Sequence, residues 1–362
     1  MSPMIFSVSG IVPSHIFKQE EIAKRFIDIL SVDEEKAEFI KKIYKNSSIC
    51  HRYSVVNDFH NPREEWEFWG SNYPKTIPGM TDRNQRYKKE APILAEKAAR
   101  QALEQWGGDP SRITHLISVS CTGVIAPGIE FYLMQNLRLS STINRLGINF
   151  MGCFGAFKGL SVAQAFAQAN PEARILLVCT ELCTLHLQAD QDSETLMANA
   201  LFSDGSAAAI IGGNCLSEER ALWEIERTHS FGFKNLMEKM SWEASDRGFL
   251  MGLCHTIPVH IKRHMSEFAE GLLPREVSTT QCDWAIHPGG ASILQAVEKA
   301  LKLQSDQTKS SWKILRDFGN MSSATFLFVL ADLSKQINGR TWTAGVGFGP
   351  GLSAEGILLR RY

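Results

Sequence analysis

The chain has 362 residues, 44% of them apolar, with 38 basic and 39 acidic side chains and a formal net charge of −1. That length allows one large domain or two fused ones, and the apolar share supports a sizeable core. The near-balance of charge excludes partners held by bulk electrostatics, such as nucleic acid or an anionic membrane surface. The opening stretch "MSPMIFSVSGIVPSHIFKQEE" has no basic leader before an apolar run, so no signal peptide is expected. No stretch reaches the ~18 apolar residues of a membrane span. Residues 57–89 are charged, aromatic and aperiodic, which predicts a long surface excursion. "APILAEKAARQALEQW" then predicts an amphipathic helix stopped by Gly107 and Gly108. Residues 113–120, "ITHLISVS", read as a short buried strand, and residues 174–181, "RILLVCTE", read the same way. Between them Phe157, Leu160, Ala163 and Phe166 share one helical face, and Asn170 and Pro171 close that helix. "ATFLFVLADL" is too short to span a membrane and reads as a core helix. The alternation predicts α/β layers with mostly buried strands.

An internal echo runs through the chain. "THLISVSCTGVIAPGIEFYLMQNL" and "CDWAIHPGGASILQAVEKAL" each read strand, Pro-Gly turn, helix; "LFSDGSAAAIIGG" and "VGFGPGLSAEGILL" each set a Gly-rich bend before a strand. The separation far exceeds solenoid periods and fits a duplicated half. The join is expected near 212–215, where composition turns polar, so that residues 1–213 and 214–362 form the two halves. Eight scattered cysteines without a C-x-x-C pair read as free thiols of a cytosolic protein rather than a disulfide scaffold or a zinc site.

Cys153, in "NFMGCFGAFKGL", sits where a strand-like run gives way to a helix. Small residues at 152, 155 and 156 allow a sharp turn and close approach of a ligand. A thiol at a helix N-terminus meets the positive end of the dipole, which favours thiolate, and a neighbouring His would activate it further. The competing reading is a buried cysteine packed as a small hydrophobe. His287, in "AIHPGG", follows a buried strand, where an α/β sheet meets its ligands. Asn320, in "FGNMSSATF", precedes an apolar helix, where Asn also serves as a cap. Together these junctions suit either a Cys–His–Asn protease or an enzyme that carries an acyl group as a thioester. The local signature of the papain-type proteases is absent.

The chain resembles the type III polyketide synthases, the chalcone/stilbene synthase family, over nearly its whole length, and is most similar to their bacterial members. The likeness is carried by "SCTGVIAPGIE", "GINFMGCFGAFKGL", "ARILLVCTELCTLHLQ", "NALFSDGSAAAIIG", "MSWEASDRGFLMGL", "AIHPGG", "GNMSSAT" and "GFGPGL". The resemblance implies a thiolase fold, two similar halves in five αβαβα layers. It implies a cytoplasmic homodimer that takes malonyl-CoA and an acyl-CoA starter and needs no metal or redox cofactor. Cys153 would take the starter acyl group, while His287 and Asn320 would hold the malonyl thioester carbonyl through decarboxylation. Phe202 matches the family's gatekeeper at the cavity neck. Met251 stands where plant enzymes carry a second gatekeeper Phe, and Ala126 where they carry a Met before Pro-Gly. Trp242 and "ELC" (181–183) follow the bacterial pattern. Cys183, Thr184 and Ser322 are expected in the cavity wall, and Lys41, Lys42, Lys45 and Arg52 near the CoA phosphates. A fatty or other aliphatic starter is expected. The alternative within the same fold, a ketoacyl-ACP synthase III, is disfavoured by "GNMSSAT" and "GFGPGL".

Overall fold

The computed structural model describes residues 2–336 and 339–362. Strand Met4–Ile11 runs antiparallel to Asp204–Gly212, which runs antiparallel to Arg174–Leu182. Next come His115–Ser120 and the edge strand Asn144–Asn149, both parallel to Arg174–Leu182. The second set repeats that order: Trp223–Gly232 is antiparallel to Ser353–Arg361, which is antiparallel to Trp342–Gly349, which is parallel to Cys282–Ile286. The sets touch through Met4 opposite Glu224 and Ile5 opposite Trp223.

Layering follows from side-chain alternation. Along Arg174–Leu182, Leu176 and Val178 join one core cluster while Ile175, Leu177 and Cys179 join another. A strand covered on both faces reads as a continuous apolar run, which is why "RILLVC" shows no period of two. The middle cluster holds two buried helices, Gly155–Ala169 and Ala324–Leu333, whose Phe157 and Phe326 rings meet at 4.0 Å. Helix Met80–Trp106 covers the first strand set; Ser7 and Ser9 hydroxyls donate to its Ala102 and Ala98 carbonyls at 2.7 and 2.8 Å. Helices Ile257–Leu272 and Ala291–Leu301 cover the second set. Outer helices, sheet, inner helices, sheet and outer helices make the five layers of the thiolase fold.

The expected surface excursion at 57–89 is corrected. The outer helix begins at Met80, eleven positions before the amphipathic run, with Arg83 and Tyr87 buried. Ahead of it Trp66, Trp69 and Tyr73 are buried in a ring cluster with Phe59. The buried Asp58 side chain accepts from the Glu67, Phe68 and Trp69 amides at 3.2, 2.9 and 2.7 Å. These bonds replace secondary structure as the backbone's partners.

Candidate active site

The loop after the edge strand Asn144–Asn149 turns sharply into helix Gly155–Ala169. Phe150 and Gly152 take φ of 58° and 73°, and a 3₁₀ turn, Gly152–Phe154, presents Cys153. Gly152 is required there: a Cβ would lie 2.3 Å from Pro350 Cδ. His287 follows strand Cys282–Ile286 directly, its amide donating to the Val346 carbonyl at 2.7 Å. Asn320 follows helix Ser305–Phe318 after Gly319, at φ 71°.

These three residues, from both strand sets, line one cavity of about 490 Å³. The Asn320 side chain is fixed at both ends. Its Oδ1 accepts from the Ser322 amide at 2.8 Å, which leaves Nδ2 facing the Gly289 carbonyl at 3.3 Å and Cys153 Sγ at 4.0 Å. His287 is 1% exposed, and neither ring nitrogen has a partner. A buried imidazole without a partner is costly unless a ligand completes it.

Burial decides the charges. It pushes the Cys153 thiol up to about 11, against hydrogen bonds from Ser322 and Asn320 and with the Glu181 carboxylate adding to the rise. Burial also lowers His287 to about 3. Burial thus works against the charged form of each group. Desolvation opposes the ionised sulfur that the helix N-terminus favours.

Other expected residues divide. Phe202 and Met251 line the large cavity; Cys183, Trp242 and Ser322 join Cys153 around an adjoining recess. Trp242 and Met251 face each other across a two-stranded ribbon, and Trp242 Nε1 donates to the Cys121 carbonyl at 2.8 Å. Thr184 is corrected: it turns from the cavity, and its hydroxyl donates to Asp204 Oδ2 at 2.7 Å. Of the expected cations only Lys42 lines the cavity. Lys41 and Lys45 are exposed, Lys41 against Glu38 at 2.6 Å. Arg52 is 3% exposed and lies behind Phe202, away from the mouth. Two neighbours were missed. Cys121 Sγ accepts from the Gly152 amide at 3.1 Å. The Glu181 carboxyl takes bonds from the Cys121 amide, Thr122 and Ser323 at 3.0, 2.8 and 2.5 Å. A carboxylate ending an otherwise apolar strand was the available signal for Glu181.

The profile for "Chalcone and stilbene synthases, N-terminal domain" matches residues 2–215, and that for the C-terminal domain matches residues 235–362. "Probable polyketide synthase 1" of Dictyostelium discoideum is 35% identical over 356 residues, 96% of this chain. The chain spans 11% of that relative's length. "Type III polyketide synthase A" of Arabidopsis thaliana is 30% identical, with 96% of this chain and 90% of the relative covered. The crystal structure of the C-terminal type III polyketide synthase domain of Steely1, a type I/III hybrid from Dictyostelium, superimposes with a TM-score of 0.94 at 33% identity, covering 100% of this chain and 99% of that one. That of PKS-I from the brown alga Ectocarpus siliculosus gives 0.91 at 29% identity, covering 100% and 98%. With both halves of the profile matched in order and the fold shared throughout, the chain belongs to the chalcone and stilbene synthase family of type III polyketide synthases.

Proposed function

We propose that the protein extends an acyl-CoA starter with malonyl-CoA by repeated decarboxylative condensation and then cyclises the product. Cys153 Sγ attacks the starter thioester carbonyl, its proton passes to His287, and CoA leaves as the thiol. Malonyl-CoA enters next, with its thioester oxygen against His287 and Asn320 Nδ2. Loss of carbon dioxide leaves an enolate, whose oxygen these donors stabilise. The enolate carbon attacks the acyl-Cys153 thioester, a C–C bond forms, and the sulfur departs. Donors aimed at a developing oxyanion act in the transition state and are typically worth ~3–4 kcal/mol each. Phe202 at the neck keeps water from the carbanion. In this reading residues 1–213 supply the nucleophile and residues 214–362 the donors.

The unpartnered His287 ring beside the fixed Asn320 amide is the observation that carries the reading. Lys42 at the mouth meets the CoA phosphates. An aliphatic starter fits the soft wall of Cys183 and Met251, with a compartment of about 300 Å³ beyond them, and would give alkylpyrones or alkylresorcinols. Eight free thiols suit a reducing compartment such as the cytoplasm. Among the described residues no helix is long and apolar enough to cross a membrane. The exposed edge strand Asn144–Asn149 is where two copies would pair as a homodimer.

Labelled malonyl-CoA with a panel of acyl-CoA starters, and no carrier protein, tests this. Triketides or longer products are expected; dependence on a malonyl-loaded carrier protein would overturn it. Cys153→Ala should lose condensation while still decarboxylating malonyl-CoA. Asn320→Ala should slow decarboxylation itself by about 10²–10³-fold.

A further inference from the structure

The segment carrying Phe202 is held on two sides. Toward the catalytic turn, the Ser203 amide donates to the Asn320 carbonyl at 2.9 Å and the Asn320 amide to the Leu201 carbonyl at 3.0 Å. Phe202 and Asn320 thus face each other across a parallel bridge. Away from it lies strand His51–Ser54: the Tyr53 amide donates to Ser203 Oγ at 2.8 Å, and the Val55 amide just beyond donates to Asp204 Oδ2 at 2.9 Å.

Arg52, on that strand, closes the arrangement. Its Nη1 donates to the carbonyls of Asn199 and Phe202 at 2.5 and 3.0 Å, at the C-terminal end of helix Ser193–Leu201. Carbonyls at a helix end lack intrahelical partners and carry the negative pole of the dipole, so a cation suits them. The guanidinium also lies 5.6 Å from the Tyr44 ring centre, and its Nε and Nη2 have no partner. Burying a cation with two unpartnered nitrogens is costly, and an apolar side chain of similar length would fill the space without that cost. The charge supplies the hold on the two carbonyls, and it also acts on the buried Asp204 carboxyl.

We propose that Arg52 is a positioning residue for condensation: through the Phe202 carbonyl it fixes the ring at the cavity neck, and through Ser203 it fixes the turn bearing Asn320. This rests on the roles proposed above for Phe202 and Asn320. It replaces a CoA-phosphate contact, because the guanidinium is sealed from the mouth. Loosening the neck lets water quench the enolate, so malonyl-CoA decarboxylates to acetyl-CoA without forming a C–C bond.

The test compares Arg52→Met and Arg52→Lys with wild type and with Lys42→Ala. It measures KM for starter and malonyl-CoA, and acetyl-CoA released per C–C bond formed. In Arg52→Met the ratio should rise about tenfold while both KM values stay within about twofold, the signature of a lost positioning contact. Lys42→Ala should do the reverse. Arg52→Lys, which keeps a charged donor for the carbonyls, should restore the ratio to within about threefold of wild type. Raised KM with an unchanged ratio would make Arg52 a CoA contact, and no change in either would make it filler; both overturn the proposal. Circular dichroism checks folding, and Arg52→Gln takes the place of Arg52→Met if the latter does not fold. If wild type forms no ketide, the functional reading fails and this proposal with it. If wild type works and the variant stays coupled, only the proposal falls.

Discussion

Asp204 follows Phe202 by two positions and is fully buried. Its carboxyl accepts from the Val55 and Thr184 amides and the Thr184 hydroxyl at 2.9, 2.8 and 2.7 Å. Burial nevertheless pushes it up to about 7, against those donors and Arg52. A carboxyl raised on folding binds its proton more tightly in the native state, so its stabilisation is full below the unfolded value near 3.8 and is lost as pH rises through about 7. Asp204→Asn removes that dependence. The melting-temperature difference between variant and wild type should therefore move in the variant's favour from pH 5 to pH 8.5. A flat difference would mean that the carboxyl titrates outside this window. None of this was legible in "LFSDGS", where Asp204 reads as a turn residue; neighbours from strand His51–Ser54 and the 183–186 turn set its chemistry.

Gly152 shows what a turn demands of its sequence. Its φ of 73° and the approach of Pro350 leave no room for a methyl group. Gly152→Ala should cost roughly 2–4 kcal/mol, the left-handed penalty plus overpacking. It should also abolish acylation of Cys153, read by denaturant melts and intact-protein mass spectrometry. Wild-type acylation in the variant would show that the turn relaxes without moving the sulfur. This junction was legible because its signals are local: small residues, a strand end and a helix start. The aromatic segment before helix Met80–Trp106 was not. Its order comes from one carboxylate, Asp58, gathering three amides, and from rings meeting across loops, neither of which leaves a period in the sequence.

The repeated strand order sets Cys153, after the first set's edge strand, and His287 and Asn320, from much later in the chain, along one cavity. The first set carries one more strand, Asn144–Asn149, at the sheet's edge, and Val124, Leu146 and Phe150 near it are 57%, 37% and 44% exposed. Unpaired edges with apolar neighbours invite a second copy. Light scattering should give twice 40.4 kDa for wild type and a shift toward monomer for Leu146→Lys; a wild-type monomer would rule out that pairing. The sequence by itself determined the alternating elements, the buried strands, the repeat and the junctions holding Cys, His and Asn. Those follow from periodicity and turn chemistry, which act over a few neighbouring residues. Only the tertiary structure decided that burial works against charge on the thiol and imidazole, that Cys183 faces the cavity while Thr184 faces Asp204, and that Arg52 binds the Asn199 and Phe202 carbonyls. Each depends on which groups from distant segments exclude water from the same spot, and no local spacing encodes that.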